Sequence, residues 1–452
     1  MKILFCLNHF LPDQIAGTEV YVFSLIKALE KKNVQAKVLI PNYGKRNTKE
    51  YEIEKIKVIK YAEPSVLDRR AKRGYINSEG LKEFIRIVQY ENPDIVHFHE
   101  LSDTTHGITL YHIKSVKNLG FKVVMTFHLA GYSCKTGNLM YKERELCDGI
   151  IRIKRCSACS YYSIGNSELF SKLLTPISML LYKIGLNTTL LNKKAGTAFG
   201  FPFVIKRFRN HFMELADNCH KLVALTHWYK NILIKNGIPE NKISTITQGL
   251  PYYQNEPILQ QPVFAKKVNE PGKNKMLRLI FIGRISYIKG VHLLIEAMQN
   301  LPPENVSLDI YGQVNESAYA ANCVQRSKGL TNIHWKGILA PAQVINTLSK
   351  YDALCLPSAF SEMSPLVIQE AFAAGIPVVA SDVYGNAEQI KDGKNGWLFK
   401  FKDSEDLRNK LNELIESSGQ MINAKKYMPA IKSFEEVAEE YRILYCKIIE
   451  IN

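Results

Sequence analysis

No stretch of the chain approaches the about eighteen apolar residues that a membrane-spanning helix needs; the nearest run, Leu173 to Leu186, is broken by Pro176 and Lys183. The opening MKILFCLNHFLP turns polar at Asn8 and His9, too early for the apolar core of a secretory signal, and reads as a strand. A cytosolic protein is therefore expected, with nine cysteines that are reduced thiols or metal ligands rather than disulfides. Acidic residues are in short supply: 43 Asp and Glu face 59 Lys and Arg, a formal net charge of +16. That balance calls for acidic partners, which are nucleic acid, a phosphorylated substrate or anionic lipid. No RNP, zinc-finger or homeodomain-like pattern accompanies the charge, so no nucleic-acid partner is expected. From Leu169 to Met213 acidic residues vanish altogether, while Lys172, Lys183, Lys193, Lys194, Lys206, Arg207 and Arg209 are interleaved with Leu, Phe, Tyr and Ile. Two readings fit: ordinary amphipathic helices with solvated basic faces, or a surface that lies on anionic lipid and makes the protein peripheral on the inner face of a membrane.

What is present is the make-up of a folded protein. The 452 residues suffice for two domains, with 46% hydrophobic and 23% charged residues. Lys2 to Leu7 reads as a buried parallel strand, followed by a loop with Pro12 and Gly17 and a helix from Glu19 to Lys32, which opens a doubly wound α/β unit. Gly17 lies where open α/β sheets bind ligands, as a simple turn or a phosphate contact. In DIVHFHE the period of two puts His97 and His99 on one side of a strand, and the strand Phe121 to Phe127 ends in His128. Cys134, Cys147, Cys156 and Cys159 fall in one loop-rich segment ending in a C-x2-C pair. They could close a tetrahedral structural zinc site; the alternative is four unligated thiols. Residues 251–275, rich in Pro and without periodicity, read as a linker. The expected organisation is a first domain over 1–250 carrying a Cys-rich and basic insert at about 130–213, a second over 276–430, and a final helix in 431–452.

The second half carries two further patterns. The strand Leu277 to Ile282 runs into a loop with Arg284 and Lys289 and a helix through Met298. In FSEMSPLVIQEAFAAGIPVVAS, Phe360 to Ser381, Glu362 and Glu370 stand around a turn entering an apolar helix. A helix N-terminus suits an anion such as a diphosphate, whereas carboxylates there would accept hydrogen bonds from hydroxyls, as a sugar nucleotide requires. Spacing alone is equally compatible with two solvated glutamates.

Glu362, seven intervening residues and Glu370, followed by AFAAGIPVVAS, resemble the Glu-x7-Glu signature of the family 4 glycosyltransferases. FIGRISYIKGVHLLIEA, Phe281 to Ala297, is similar to the same family's phosphate-binding turn, and MTFH, ending in His128, to the segment whose histidine lies against the donor sugar. The resemblance implies the GT-B fold: two facing Rossmann-like doubly wound α/β domains with an interdomain cleft, and a C-terminal helix that crosses back to the first. It implies a retaining glycosyltransferase that moves a sugar from a nucleoside-diphosphate sugar to a glycan or lipid-linked acceptor, in surface polysaccharide or glycolipid synthesis. Glu362 would then approach the donor sugar hydroxyls, with His128 bonding the sugar or supporting the transition state. Glu370 would bind the ribose, Arg284 and Lys289 the diphosphate, and Met363 to Leu366, including Ser364 and Pro365, would supply backbone N–H groups. Gly17 would stand in the family's Gly-rich loop, with Ala16 replacing the first of its usual glycine pair. Met-Ser-Pro at 363–365 replaces the family's common Gly-Phe-Gly. With fixed cations at the diphosphate and no Asp-x-Asp pair in the chain, no catalytic metal is expected. The alternative is a non-catalytic nucleotide-sugar or membrane-surface binding or scaffold protein of the same fold.

Overall fold

The computed structural model describes residues 1–65, 78–102, 107–165, 167–191, 194–251 and 276–450. Residues 252–275 of the expected linker and Lys193 of the basic segment lie outside the described residues. The chain divides into two compact units, Met1–Thr247 with Phe434–Asn452, and Gln248–Ser433.

Among the described residues the first unit is built on an eight-stranded sheet. The strands of the unit are β1 (Lys2–Cys6), β2 (Gln35–Tyr43), β3 (Lys49–Ile53), β4 (Ile56–Glu63), β5 (Ile95–Phe98), β6 (Lys122–Phe127), β7 (Met140–Tyr141), β8 (Glu145–Leu146), β9 (Lys221–Ala224) and β10 (Ile243–Thr245). The sheet order is β10-β9-β6-β5-β1-β2-β4-β3, with β7 and β8 forming a separate ribbon. Every neighbouring pair in the sheet is parallel except β3 and β4. That antiparallel hairpin closes one edge of the sheet. Its turn uses Glu54 and Lys55 at φ 46° and 71°, where hairpins usually place Asn-Gly, so the local composition carried no turn signal.

Strand order reverses at β1, which pairs with β2 on one side and β5 on the other. The loops leaving β1, β5 and β6 thus start side by side at a topological switch point, where open α/β sheets bind ligands. They carry Gly17, His99 and His128. The closing helix Phe434–Glu450 packs in this unit, its Glu435 and Glu439 paired with Lys31 and Lys32 at 2.6 and 3.0 Å, and its Tyr441 and Tyr445 fully buried. Between β6 and β9 the insert contains the helices Ile153–Gly165, Glu168–Lys183, Lys194–Phe199 and Phe201–Asn218. Cys156 and Cys159 therefore sit on a helix and not in a loop, one turn apart; their segment IKRCSACSYYSIG holds no Pro and no Gly before its end.

Among the described residues the second unit has six strands, all parallel: β11 (Leu277–Ile282), β12 (Val306–Tyr311), β13 (Ile333–Gly337), β14 (Ala353–Leu356), β15 (Val378–Ser381) and β16 (Gly396–Phe399), in the order β13-β12-β11-β14-β15-β16. Successive residues of β11 point to opposite faces. Leu279 and Phe281 pack with Val291 and Leu294 on one face, and Ile280 packs with Ile368 and Phe372 on the other. Burial on both faces is why the strand reads as a nearly continuous apolar run.

Candidate functional site

In the second unit the switch point lies between β11 and β14, which pair in parallel, so the loops that follow them are neighbours. This brings together two side chains far apart in sequence. Lys289 Nζ lies 2.7 Å from Glu362 Oε1, and that oxygen also accepts a hydrogen bond from Ser358 Oγ at 2.7 Å. The pair is largely withdrawn from water, with the Lys289 and Glu362 side chains 16% and 7% exposed. Lys289 Nζ also stands 5.1 Å from the centre of the Phe360 ring. Two glycines make the close approach sterically feasible. Gly290 has φ +73°, and a Cβ there would meet the Pro357 carbonyl oxygen at 1.7 Å. A Cβ on Gly385 would meet the carbonyl oxygens of Glu362 and Met363, each at 2.4 Å, so the helix Tyr384–Ala387 can abut the Glu362 loop only with glycine at that position.

Arg284 is exposed in the same loop as Lys289, and Glu370 is buried on the helix Leu366–Ala373. That helix begins at an extended Pro365, φ −68°. Proline has no N–H, so the expectation that every residue from Met363 to Leu366 donates a backbone hydrogen bond is corrected: Pro365 shapes the helix start, and only Met363, Ser364 and Leu366 have an N–H to offer. Ser286 was passed over. It is buried between Arg284 and Lys289 in sequence, and its Oγ has no hydrogen-bond partner among the described residues. An unpaired buried hydroxyl costs about 1–3 kcal/mol, which a ligand oxygen at this loop would offset.

In the first unit His128 Nε2 lies 2.9 Å from His99 Nδ1, and His99 Nε2 lies 3.3 Å from His97 Nδ1. His97 continues the chain, through Nδ1 to the Tyr445 hydroxyl at 2.7 Å and through Nε2 to Thr126 Oγ1 at 2.8 Å. Thr126 reaches the Tyr441 hydroxyl at 2.9 Å, which in turn meets the Tyr21 hydroxyl at 3.1 Å. All three histidines are buried, and burial lowers each of them, His128 to about 3. His128 is thus a neutral imidazole at pH 7, able to hydrogen-bond a sugar hydroxyl but not to act as a cation. Gly17 is exposed and opens the helix Gly17–Glu30. Nearby in sequence Glu19 is buried and accepts from Gln14 Nε2 at 2.7 Å. Glu100 accepts from the Asn8 backbone N–H at 3.1 Å and is pushed up to about 7 by burial and by the charge of Glu19. The reading of DIVHFHE stopped at its histidines, although Glu100 stands at the same strand end.

Cys134, Cys147, Cys156 and Cys159 line one cavity of about 20 Å³. Burial raises Cys156 and Cys159 to about 11, and the neighbouring thiols add to the effect. Among the described residues no group of three or more His, Cys, Asp or Glu is set to hold a metal ion.

Residues 262–430 match the family described as glycosyl transferases group 1, and residues 15–156 match Glycosyltransferase Family 4. An uncharacterized glycosyltransferase of Methanocaldococcus jannaschii is 26% identical over 241 residues, 50% of this chain and 58% of that protein. The N,N'-diacetylbacillosaminyl-diphospho-undecaprenol alpha-1,3-N-acetylgalactosaminyltransferase of Campylobacter jejuni is 26% identical over 239 residues, 51% of this chain and 61% of the relative. HepE of Anabaena, crystallised with UDP and glucose, superposes with a TM-score of 0.58 at 17% identity, over 100% of this chain and 98% of that one, a likeness that shows the fold. The chain spans less than two thirds of the length of these two sequence relatives.

Proposed function

The chain belongs to the family 4 glycosyltransferases and has their GT-B fold, and from that membership we propose that it transfers a sugar from a nucleoside-diphosphate sugar to a glycan or lipid-linked acceptor. The setting is assembly of a surface polysaccharide or glycolipid, at the inner face of a membrane where a lipid-linked acceptor would be met. The observation that carries this reading is the pairing of Lys289 with Glu362 at the switch point, beside Arg284 and the start of the helix Leu366–Ala373. Cations and N–H groups there would meet an anion, and carboxylates would accept from hydroxyls.

In this reading the bond between the sugar C1 and the diphosphate oxygen breaks while the acceptor oxygen bonds to C1 on the same face. The acceptor proton passes to the leaving phosphate, and the anomeric configuration is retained. Negative charge grows on the diphosphate as the bond lengthens, so Arg284, Lys289 and the N–H groups of Ser364 and Leu366 favour the transition state over the ground state, and no catalytic metal is needed. Glu362 and the neutral His128 bind sugar hydroxyls, Glu370 the ribose, and Gly17 lets the backbone approach the donor.

The test is thermal stabilisation by UDP, GDP, ADP and CMP and their sugars, without added metal. A ligand at 100 times its dissociation constant stabilises by about 2.7 kcal/mol, well within detection. One base is expected to stabilise, and Arg284→Ala to abolish the effect. No response to any nucleotide by folded protein would overturn the reading in favour of a non-catalytic scaffold.

For the cysteine cavity we propose a structural metal, held by the four thiolates after their closure upon it; that four-sulfur set would suit zinc. Metal analysis of the purified chain is expected to find about one zinc per chain, lost from Cys156→Ser/Cys159→Ser. Protein free of zinc and iron would leave four ordinary thiols.

A further inference from the structure

We propose that the helix Glu168–Lys183 is a membrane-docking helix that lies in the headgroup region of anionic lipid through its outward face. The helix is amphipathic in the inverse sense. Its buried positions are Ser171, Thr175 and Ser178, and their hydroxyls are satisfied locally: Ser171 Oγ donates to the Ala158 carbonyl at 2.7 Å, Thr175 Oγ1 to Ser171 at 2.6 Å, and Ser178 Oγ to Thr175 at 3.0 Å. These small side chains let the helix pack closely on Ile153–Gly165 without needing an apolar face. Leu174, Met179, Leu181 and Tyr182 are half-buried, and a row of apolar residues points the other way. Leu169, Leu173, Ile177 and Leu180, with Ile184 just past the helix end, recur every three or four residues and are 48–67% exposed. Ile164, Leu186 and Leu191 extend the exposure, so that nine of the 21 exposed large hydrophobics among the described residues fall between Ile164 and Leu191. Scattered exposed leucines need no explanation, but a contiguous stripe on one helix marks an interaction surface.

Charge selects the occupant. Lys172 and Lys183 are exposed and flank the stripe, and Lys206 stands 6.0 Å from the Tyr182 ring on the same helix. No acidic residue occurs from Leu169 to Met213. The one acid of the helix, Glu168, is held by Lys142 at 2.6 Å and also lies within reach of the Lys172 charge. Leucines between lysines match a bilayer surface, where apolar side chains enter the acyl boundary and ammonium groups remain among anionic headgroups. A second copy of the same face would set Lys172 and Lys183 against their like. The helix cannot span: 16 residues reach about 24 Å, short of the bilayer's hydrocarbon core, and no helix among the described residues is long and apolar enough to cross a membrane.

The inference rests on the proposed acceptor chemistry only for its purpose, and its test is read separately. The full chain is sedimented with phosphatidylglycerol-containing vesicles and with pure phosphatidylcholine vesicles, at low and high salt. Binding is expected to be at least about tenfold tighter to the anionic vesicles and to weaken as salt rises. Leu173→Ser/Leu180→Ser, at solvent-facing positions, is expected to lower binding about tenfold or more with an unchanged thermal melt and unchanged nucleotide stabilisation; Lys172→Glu/Lys183→Glu should remove the preference for anionic lipid. Wild-type protein that ignores both vesicles, or binding untouched by the leucine substitutions, would overturn the proposal. A dimer that the leucine substitutions dissociate, without vesicle binding, would do the same and assign the face to a second copy. Vesicle binding without any nucleotide response would leave this surface standing and remove the glycosyltransferase reading instead.

Discussion

Lys289→Ala is expected to lower the stability of the second unit by about 3–5 kcal/mol, the usual cost of stripping one partner from a buried ion pair. Glu362 is only 7% exposed, and without the ammonium its Oε1 keeps Ser358 Oγ as a donor at 2.7 Å but no compensating charge. Glu362→Gln removes that charge while keeping an acceptor oxygen. The double variant Lys289→Ala/Glu362→Gln should therefore recover most of the lost stability. Donor binding should not recover with it. The proposed phosphate role requires Lys289 to leave Glu362 for the diphosphate, and losing one charge-assisted hydrogen bond of about 1.5–3 kcal/mol lowers affinity about 10- to 150-fold. Urea unfolding and nucleotide titration of the three variants separate the two effects. Unchanged affinity in Lys289→Ala would take the lysine out of the phosphate site, and an unchanged urea midpoint would mean that water screens the pair.

That pair also marks where sequence legibility stops. Lys289 and Glu362 could each be picked out from a local motif, because a loop after a strand and a turn before an apolar helix are short-range patterns. Their contact across 73 positions depends on β14 being the strand that pairs with β11, and strand order is a tertiary fact. The histidine chain divides in the same way. His97 and His99 were legible on one side of a strand and His128 at the end of another, but Tyr445, the partner of His97 at 2.7 Å, lies 348 residues away on the closing helix. The steric role of Gly385 against Glu362 appears only once the loops are in place. The helix Glu168–Lys183 shows the same limit. Apolar period alone says which residues share a face, not which face is inside; there Ser171, Thr175 and Ser178 took the interior and left Leu169, Leu173 and Leu180 to solvent.

The first unit should be nearly indifferent to acid between pH 7 and 6 and then lose stability steeply as pH falls further. His112 and His128 are each lowered to about 3 by burial, so between about 6.5 and 3 the unfolded chain binds more protons than the folded one. Stability then rises with pH across that window, and is lost on acidification by about 2 kcal/mol for each such histidine at pH 5. Two buried carboxylates work in the opposite direction. Glu63 and Glu100 are raised to about 7 by burial, so the folded chain binds more protons than the unfolded one between about 4.3 and 7, and acidification returns about 2–3 kcal/mol for each by pH 5. These two pairs almost cancel. The balance is tipped by His97 and His99, both lowered by burial and by the neighbouring histidines, which add to the acid side. Below about pH 4.3 the carboxylates have nothing left to give while the histidines continue to bind protons on unfolding. Urea midpoints measured from pH 7.5 to 4 should show the shoulder and the fall. Glu63→Gln removes one compensating group: it is expected to raise stability at pH 7 by up to about 3 kcal/mol and to move the onset of the loss upward, so that stability already declines from pH 7. A midpoint that rises steadily on acidification to pH 5 would mean that the histidine chain is protonated in the folded protein, and with it the neutral role of His128 would fall.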